Sequence, residues 1–552
     1  MSNESYVMEK KNYWRRGSLW ILSVFLLGTS QAQESLSRTW VSDQGDGTYI
    51  NPVLHADYSD PDAIRVGDDY YLTASSFEDI PGLPILHSKD LVNWRLIGHA
   101  LPRLDPAAHF AVPRHGCGVW APSLRYHKGE FYLYYPDPDF GIFLLKAKKV
   151  EGPWSAPVLV AAGKGLIDPC PLWDDDGQAY LVHAYAGSRA GIKSVLVLRR
   201  LSPDGTRTLD EGVLVYDGHA TDPTIEGPKL YKREGWYYIF APAGGVSTGW
   251  QLVLRSKNIY GPYERKVVMG QGSTPINGPH QGAWVRTQGG EDWFLHFQDK
   301  EAYGRVLHLQ PMRWNSGWPV IGVDSAGSGK GVPVLRFRKP NVGRNWPKAT
   351  PPESDEFNST RIGRQWQWPA NSKATWAFAD AASGVLRLFS DVLPDSARNL
   401  WGAANVLQQK FPAESFTATT QVTFHPNAKL QERAGLSVMG LAYAGLALQR
   451  DSIGLRLLGL HCPDADKGGA EQSTVLATGL PANVYLRVTV AAGARCRFSW
   501  STDGTHFTEW PQLFVAQPGR WKGAKLGLFC VRPSSTNDAG YLDVDWFRLE
   551  SL

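Results

Sequence analysis

The hydrophobic pattern of the first two thirds of the chain is one short motif used five times. A turn of acid and glycine leads into an apolar, aromatic-rich strand: GDDYYLTAS from Gly67, KGEFYLYYP from Lys128, DDGQAYLVHA from Asp175, REGWYYIFAP from Arg233 and GEDWFLHFQ from Gly290. Runs of this kind behind hairpin-type turns are extended rather than helical. Their starts lie roughly 45 to 60 residues apart, the spacing of propeller blades. No long segment with a 3.6-residue period intervenes, which argues against βα units. Four strands per repeat fill the chain from about 50 to 335, and the pattern predicts an all-β, five-bladed β-propeller. The competing reading is a β-sandwich whose strands merely look alike.

The pattern then breaks. From about Gly329 to Pro352 the text becomes GVPVLRFRKPNVGRNWPKATPP, rich in proline and basic residues and without strand alternation after Phe337. This predicts a linker, or a strap lying over the surface. From Asp355 a second set of strands follows, FTATTQVTF, AGLSVMGLAYAGLALQR, VYLRVTVAA, CRFSWSTDG and YLDVDWFRL, with STDGTHF as a hairpin turn. Strands at short spacing predict a β-sandwich of jelly-roll type. The expected organisation is a propeller over 40–337, a linker over 338–354 and an accessory sandwich over 355–552. A chain of 552 residues is long enough for two such domains.

Charge and composition narrow the function. The net charge of +4 arises from 57 basic and 53 acidic residues, and no Lys/Arg run marks the body of the chain, so nucleic acid is not an expected partner. Aromatic residues make up 12% of the chain, enough both to build β cores and to stack on sugar faces. At the N-terminus Lys10, Lys11, Arg15 and Arg16 precede the apolar run SLWILSVFLLG and the small residues before Ala32. The run is about half of what spans a bilayer, so residues 1–32 read as a cleaved signal peptide. The protein is then expected to be exported, to the periplasm or beyond, with no membrane association after cleavage. Five cysteines at irregular spacing suit buried thiols better than a disulfide framework or a metal site.

Candidate chemistry emerges when the repeats are aligned on their aromatic strands. Asp60 lies eleven residues before Tyr71, Asp168 twelve before Tyr180, Glu226 eleven before Tyr237, His280 fourteen before Phe294 and Trp120 eleven before Phe131. The same slot of every blade faces the mouth of the central channel. Three carboxylates, an imidazole and an indole are therefore expected to converge. Asp60 and Asp168 each precede proline, which pushes its predecessor toward an extended backbone. Asp57 and Asp62 flank the slot without filling it. Clustered acids suit glycoside hydrolysis, in which one carboxylic acid protonates the leaving oxygen and one carboxylate activates water or attacks the anomeric carbon. A third carboxylate beside the acid would raise its pKa. Ca²⁺ binding is the alternative use of such acids and needs six or more oxygens at one centre. A carbohydrate-binding propeller without catalysis also stays open.

These residues sit in text that strongly resembles glycoside hydrolase family 43. The matching stretches are NPVLHADYSDPDAIRVGDDYYLTASSF, PGLPILHSKDLVNW, GVWAPSLRYHKGEFYLYY, LIDPCPLWDDDGQAYLV, TIEGPKLYKREGWYYIF and GPHQGAWV, in order from about 50 to 335. ERAGLSV and YLDVDWFRL are similar to the concanavalin-like sandwich of the family's β-xylosidase branch. The resemblance implies Asp60 as general base, Glu226 as general acid and Asp168 as the residue that tunes and orients the acid. Inversion of configuration is implied, with the Asp60 and Glu226 carboxyls roughly 6.5–9.5 Å apart. His280 would contact a water or divalent ion in the channel, and Arg305 would hold a substrate hydroxyl near the acid. Trp120 and Phe77 would line the sugar pocket. No cofactor is required, Ca²⁺ being an optional structural ion. The substrate would be an oligosaccharide with a terminal β-D-xylosyl unit or, alternatively, an α-L-arabinofuranosyl one. YSDP stands where NPDP is common in the family.

Overall fold

The computed structural model describes residues 36–427, 431–452, 454–535 and 537–552, which form one compact unit. The expected leader, residues 1–32, lies outside the described residues. Four four-stranded antiparallel meanders and a fifth, five-stranded antiparallel sheet follow one another. Their innermost strands are Asp62–Val66, Ser123–His127, Leu166–Trp173, Lys229–Arg233 and His280–Arg286. The fifth blade is completed by the early strand Leu54–Asp57, which pairs antiparallel with Arg305–Asn315 and so closes the ring. The recurrent motif of the sequence is the turn between the first and second strand of each blade. Its glycine, Gly67, Gly129, Gly177, Gly235 or Gly290, has a positive φ in every case, a geometry that a side chain would strain.

The aromatic content is spent between blades. Each adjacent pair shares its own buried cluster, for example Leu133 with Leu83, Tyr134 with Leu181, Val182 with Ile239, Phe240 with Phe294, and Trp293 with Leu86. Burying such side chains stabilises each interface by about 1.5–3 kcal/mol per large residue, so neighbouring blades hold one another in place.

Beyond the propeller, Lys339 pairs with Asp43 and Asp90 at 2.5 and 2.8 Å, and Val342 joins the core between the first and fifth blades. This segment is strapped to the propeller rather than free. The rest of the chain forms two stacked sheets. One is built around Phe416–His425, Asn483–Ala491 and Tyr541–Glu550, the other around Arg433–Met439, Tyr443–Arg450 and Lys525–Arg532. The sandwich core takes in Ala302, Tyr303 and Val306 of the propeller, so the two domains share buried apolar surface. All five cysteines are unpaired and four are buried.

Candidate active site

Asp60 and Asp168 enter the channel from the same backbone setting in the first and third blades. Both have positive φ, 53° and 57°, which corrects the extended conformation expected ahead of proline. Aspartate tolerates this region better than most residues, and strain of this kind is held only where surrounding contacts fix it. Positive φ recurs at Gly227 and Gln281 in the fourth and fifth blades. Glu226 and His280 thus project from the residue before that position. They meet each other, His280 Nε2 to Glu226 Oε1 at 3.0 Å.

The contacts of the three acids differ. Asp60 is buried and accepts hydrogen bonds from Ser59 Oγ and Ser75 Oγ, both at 2.6 Å, and an ion pair from Arg305 Nη1 at 3.1 Å. Arg305 is itself fixed: its backbone N–H donates to Asp57 at 2.9 Å, and its guanidinium lies 4.9 Å from the Phe297 ring centre. Gly304, at φ 74°, allows this, because a Cβ there would fall 2.5 Å from the Asp57 carboxyl carbon. Asp168 is buried and accepts one backbone hydrogen bond, from Gly227 N at 2.7 Å. Burial, then the charges of Glu226 and Asp60, raise its pKa to about 8. The upward shift therefore appears on Asp168. Glu226 is the most open of the three, its side chain 32% exposed.

Asp57 and Asp62 are engaged elsewhere. Asp57 holds Arg305 and Gly523 backbone N–H groups, and fully buried Asp62 pairs with Arg125 at 2.6 Å. Trp120 is half-buried, its Nε1 donating to Gly116 O at 3.0 Å, with Arg189 above the ring at 5.5 Å. Phe77 is only 3% exposed and meets Trp120 edge-on at 6.5 Å, so it backs that ring rather than presenting a face of its own.

The sandwich, expected to close one side of the pocket, reaches the site with residues that the repeat pattern does not name. Its 519–523 loop reaches the channel mouth, where Trp521, 47% exposed, faces Trp120 at 6.1 Å. Gly523 N donates to Asp57 Oδ2 at 2.9 Å, and Lys522 pairs with buried Glu78 and Asp79 at 2.5 and 2.8 Å. Burial would raise the Glu78 carboxyl, yet Lys522 and His115 hold it well below the usual range. Between the two domains a cleft of ≈ 590 Å³ is walled by Asp299, Arg305 and Gly304 on one side and Glu414, Trp521 and Lys522 on the other, and it meets the acids only through Arg305. Nothing in the repeat pattern could have found these residues, since they arrive from a different domain.

Among the described residues no group of three or more His, Cys, Asp or Glu is placed to hold a metal ion. His280 Nε2 is engaged by Glu226, and its Nδ1 has no hydrogen-bond partner among the described groups.

The raised pKa of Asp168 has a measurable consequence. A carboxyl that binds its proton more tightly folded than unfolded contributes stability in full below about pH 4, and that contribution is lost as pH rises toward 8. Asp168→Asn is expected to melt close to the unsubstituted protein near pH 4 and to become the more stable of the two as pH rises to 8. Thermal unfolding at the two pH values checks this, and a gap of equal size at both would contradict it.

Comparison with known proteins identifies the family of both domains. The description "Glycosyl hydrolases family 43" matches residues 49–319, and "Beta xylosidase C-terminal Concanavalin A-like domain" matches residues 354–550. A Formosa agariphila protein named "Beta-xylosidase" is 34% identical over 555 residues, covering 92% of this chain and 91% of the relative. The chain belongs to glycosyl hydrolase family 43. This family-43 enzyme is a glycosidase, and it is also 31% identical to a Bacteroides ovatus "Non-reducing end alpha-L-arabinofuranosidase" over 438 residues, 76% of this chain and 77% of that one. The crystal structure of a GH43 protein from Bacillus licheniformis superposes with a TM-score of 0.78 at 26% identity, covering 92% of this chain and all of the other.

Proposed function

We propose that the enzyme is an exo-acting, inverting β-D-xylosidase that releases terminal xylosyl units from hemicellulose oligosaccharides. The observation that carries this reading is the convergence of Asp60, Asp168 and Glu226, from three separate blades, in one mouth partly closed by Trp521. A mouth closed on one side suits removal of single terminal sugars better than cuts within a chain.

In this mechanism Asp60 takes a proton from a water placed over the anomeric carbon. Ser59, Ser75 and Arg305 hold its carboxylate in one orientation. Glu226 gives its proton to the leaving oxygen. His280 Nε2 engages Glu226 Oε1 at 3.0 Å, which leaves Oε2 to face the leaving oxygen. Asp168 and Glu226 repel when both are charged, so the pair retains one proton more firmly than two isolated carboxylates. Arg305 offers a further hydrogen bond to a sugar hydroxyl, and the Trp120 and Trp521 rings flank the sugar. His280 needs no ion in this scheme; a Ca²⁺ requirement would be read from loss of activity with a chelator.

Support for a xylosyl substrate is the β-xylosidase name of the Formosa relative, and support for the runner-up, α-L-arabinofuranosidase, is the name of the Bacteroides one. Rates on nitrophenyl β-D-xyloside and nitrophenyl α-L-arabinofuranoside separate the two. The proposal expects the xyloside to be faster by about tenfold or more, and a faster arabinofuranoside would reverse the assignment. Residues 40–337 are read as the catalytic domain, 338–354 as a strap and 355–552 as an accessory domain that shapes the site. The basic and apolar pattern of residues 1–32 supports export.

A further inference from the structure

The axial channel has a second mouth. The innermost strands of all five blades end there, and their last or next-to-last residues are Arg65, Tyr126, Trp173, Lys232 and Arg286. The pseudo-symmetry that brings acids to one mouth brings these side chains to the other. They line one cavity of ≈ 520 Å³, together with Arg125 a step deeper. Where the catalytic mouth is acidic, this one is basic and aromatic.

Two of its cations are spoken for. Arg125 pairs with Asp62 at 2.6 Å, and Lys232 with Asp174 and Asp175. Arg65 and Arg286 are more open. Both are exposed and neither makes a close ion pair among the described residues, although Arg286 stands opposite Asp292 in the sheet and acts on its carboxyl. Arg65 donates only to backbone carbonyls, Nε to Arg286 O at 2.8 Å and Nη1 to Gly67 O at 2.6 Å. Those bonds fix the guanidinium beside Arg286 without neutralising it. Alongside, the Tyr126 ring is 45% exposed and braced by Phe131 at 4.8 Å. One guanidinium held in place, with a second on the adjoining innermost strand, suits a carboxylate or another oxyanion, and an open, braced ring suits a flat apolar face. A uronic-acid unit carries both on one sugar.

We propose that the far mouth of the propeller binds a uronic-acid-bearing saccharide, its carboxylate taken by Arg65 and Arg286 and its ring laid on Tyr126. A neutral pentose would leave the two charges unanswered, and a small anion would leave the ring unused. The site is separate from the catalytic mouth and requires no turnover.

The test is calorimetric titration of the full chain with methyl β-D-glucuronide, methyl β-D-xyloside and acetate, each repeated with the catalytic mouth saturated by xylose. The glucuronide is expected to bind with an affinity that falls as salt rises, unaffected by xylose, and to bind at least about tenfold more weakly to an Arg65→Gln/Arg286→Gln variant of unchanged thermal midpoint. Tyr126→Ala, a single exposed ring, is expected to weaken glucuronide binding several-fold, and it keeps the test decisive should the double variant fold poorly. Absence of glucuronide binding, its loss in the presence of xylose, or indifference to these substitutions would overturn the proposal. Acetate binding as tightly as the glucuronide would overturn its saccharide part.

Discussion

Asp60→Asn is expected to lower kcat on xylo-oligosaccharides by about 10³-fold while KM changes little. The reasoning is geometric. Asp60 accepts from Ser59, Ser75 and Arg305 through an arrangement that asparagine reproduces in size, so the site keeps its shape. What it loses is the capacity to take a proton from water in the transition state. An interaction made only there lowers kcat and kcat/KM together, whereas a residue that merely binds sugar would raise KM. The loss should also be insensitive to the leaving group, because activation of water is needed whichever aglycone departs. Steady-state kinetics beside a thermal unfolding curve check this. A kcat within tenfold of the unsubstituted enzyme would remove Asp60 from the chemistry.

The propeller was legible because its blades repeat. Counting back from five aromatic strands brings Asp60, Asp168, Glu226, His280 and Trp120 to one slot, and the structure brings the three acids and His280 within reach of one another. The count is loose by one residue. The backbone position shared by Asp60 and Asp168 falls at Gly227 in the fourth blade, so Glu226 precedes it, and His280 likewise precedes Gln281. Local propensity also misled: proline after Asp60 and Asp168 argued for extended backbone, yet tertiary contacts hold both at positive φ. Arg305 came only through the family resemblance, since it starts a third strand rather than a first. Trp521 and Lys522 had no sequence signal at all. Their role follows from how the sandwich docks, which depends on the buried Lys522–Glu78 and Lys522–Asp79 pairs and on Tyr303 entering the sandwich core.

That docking explains why the accessory domain accompanies the catalytic one. The Gly523 N–H is bound by Asp57, which also binds Arg305, which in turn pairs with Asp60. The sandwich thus braces Asp60 through two intermediaries while Trp521 narrows the mouth. The shared buried surface makes the sandwich part of the active-site architecture rather than a tethered module.

The central claim is that Glu226 protonates the leaving oxygen in a site where Asp60 activates water. The most direct measurement is the rate of Glu226→Gln on two substrates, xylobiose and 2,4-dinitrophenyl β-D-xyloside. A dinitrophenolate departs without a proton, whereas a sugar alkoxide does not. The expected loss is about 10³-fold on xylobiose and less than about tenfold on the dinitrophenyl glycoside. Equal losses on the two substrates, or none on xylobiose, would contradict it.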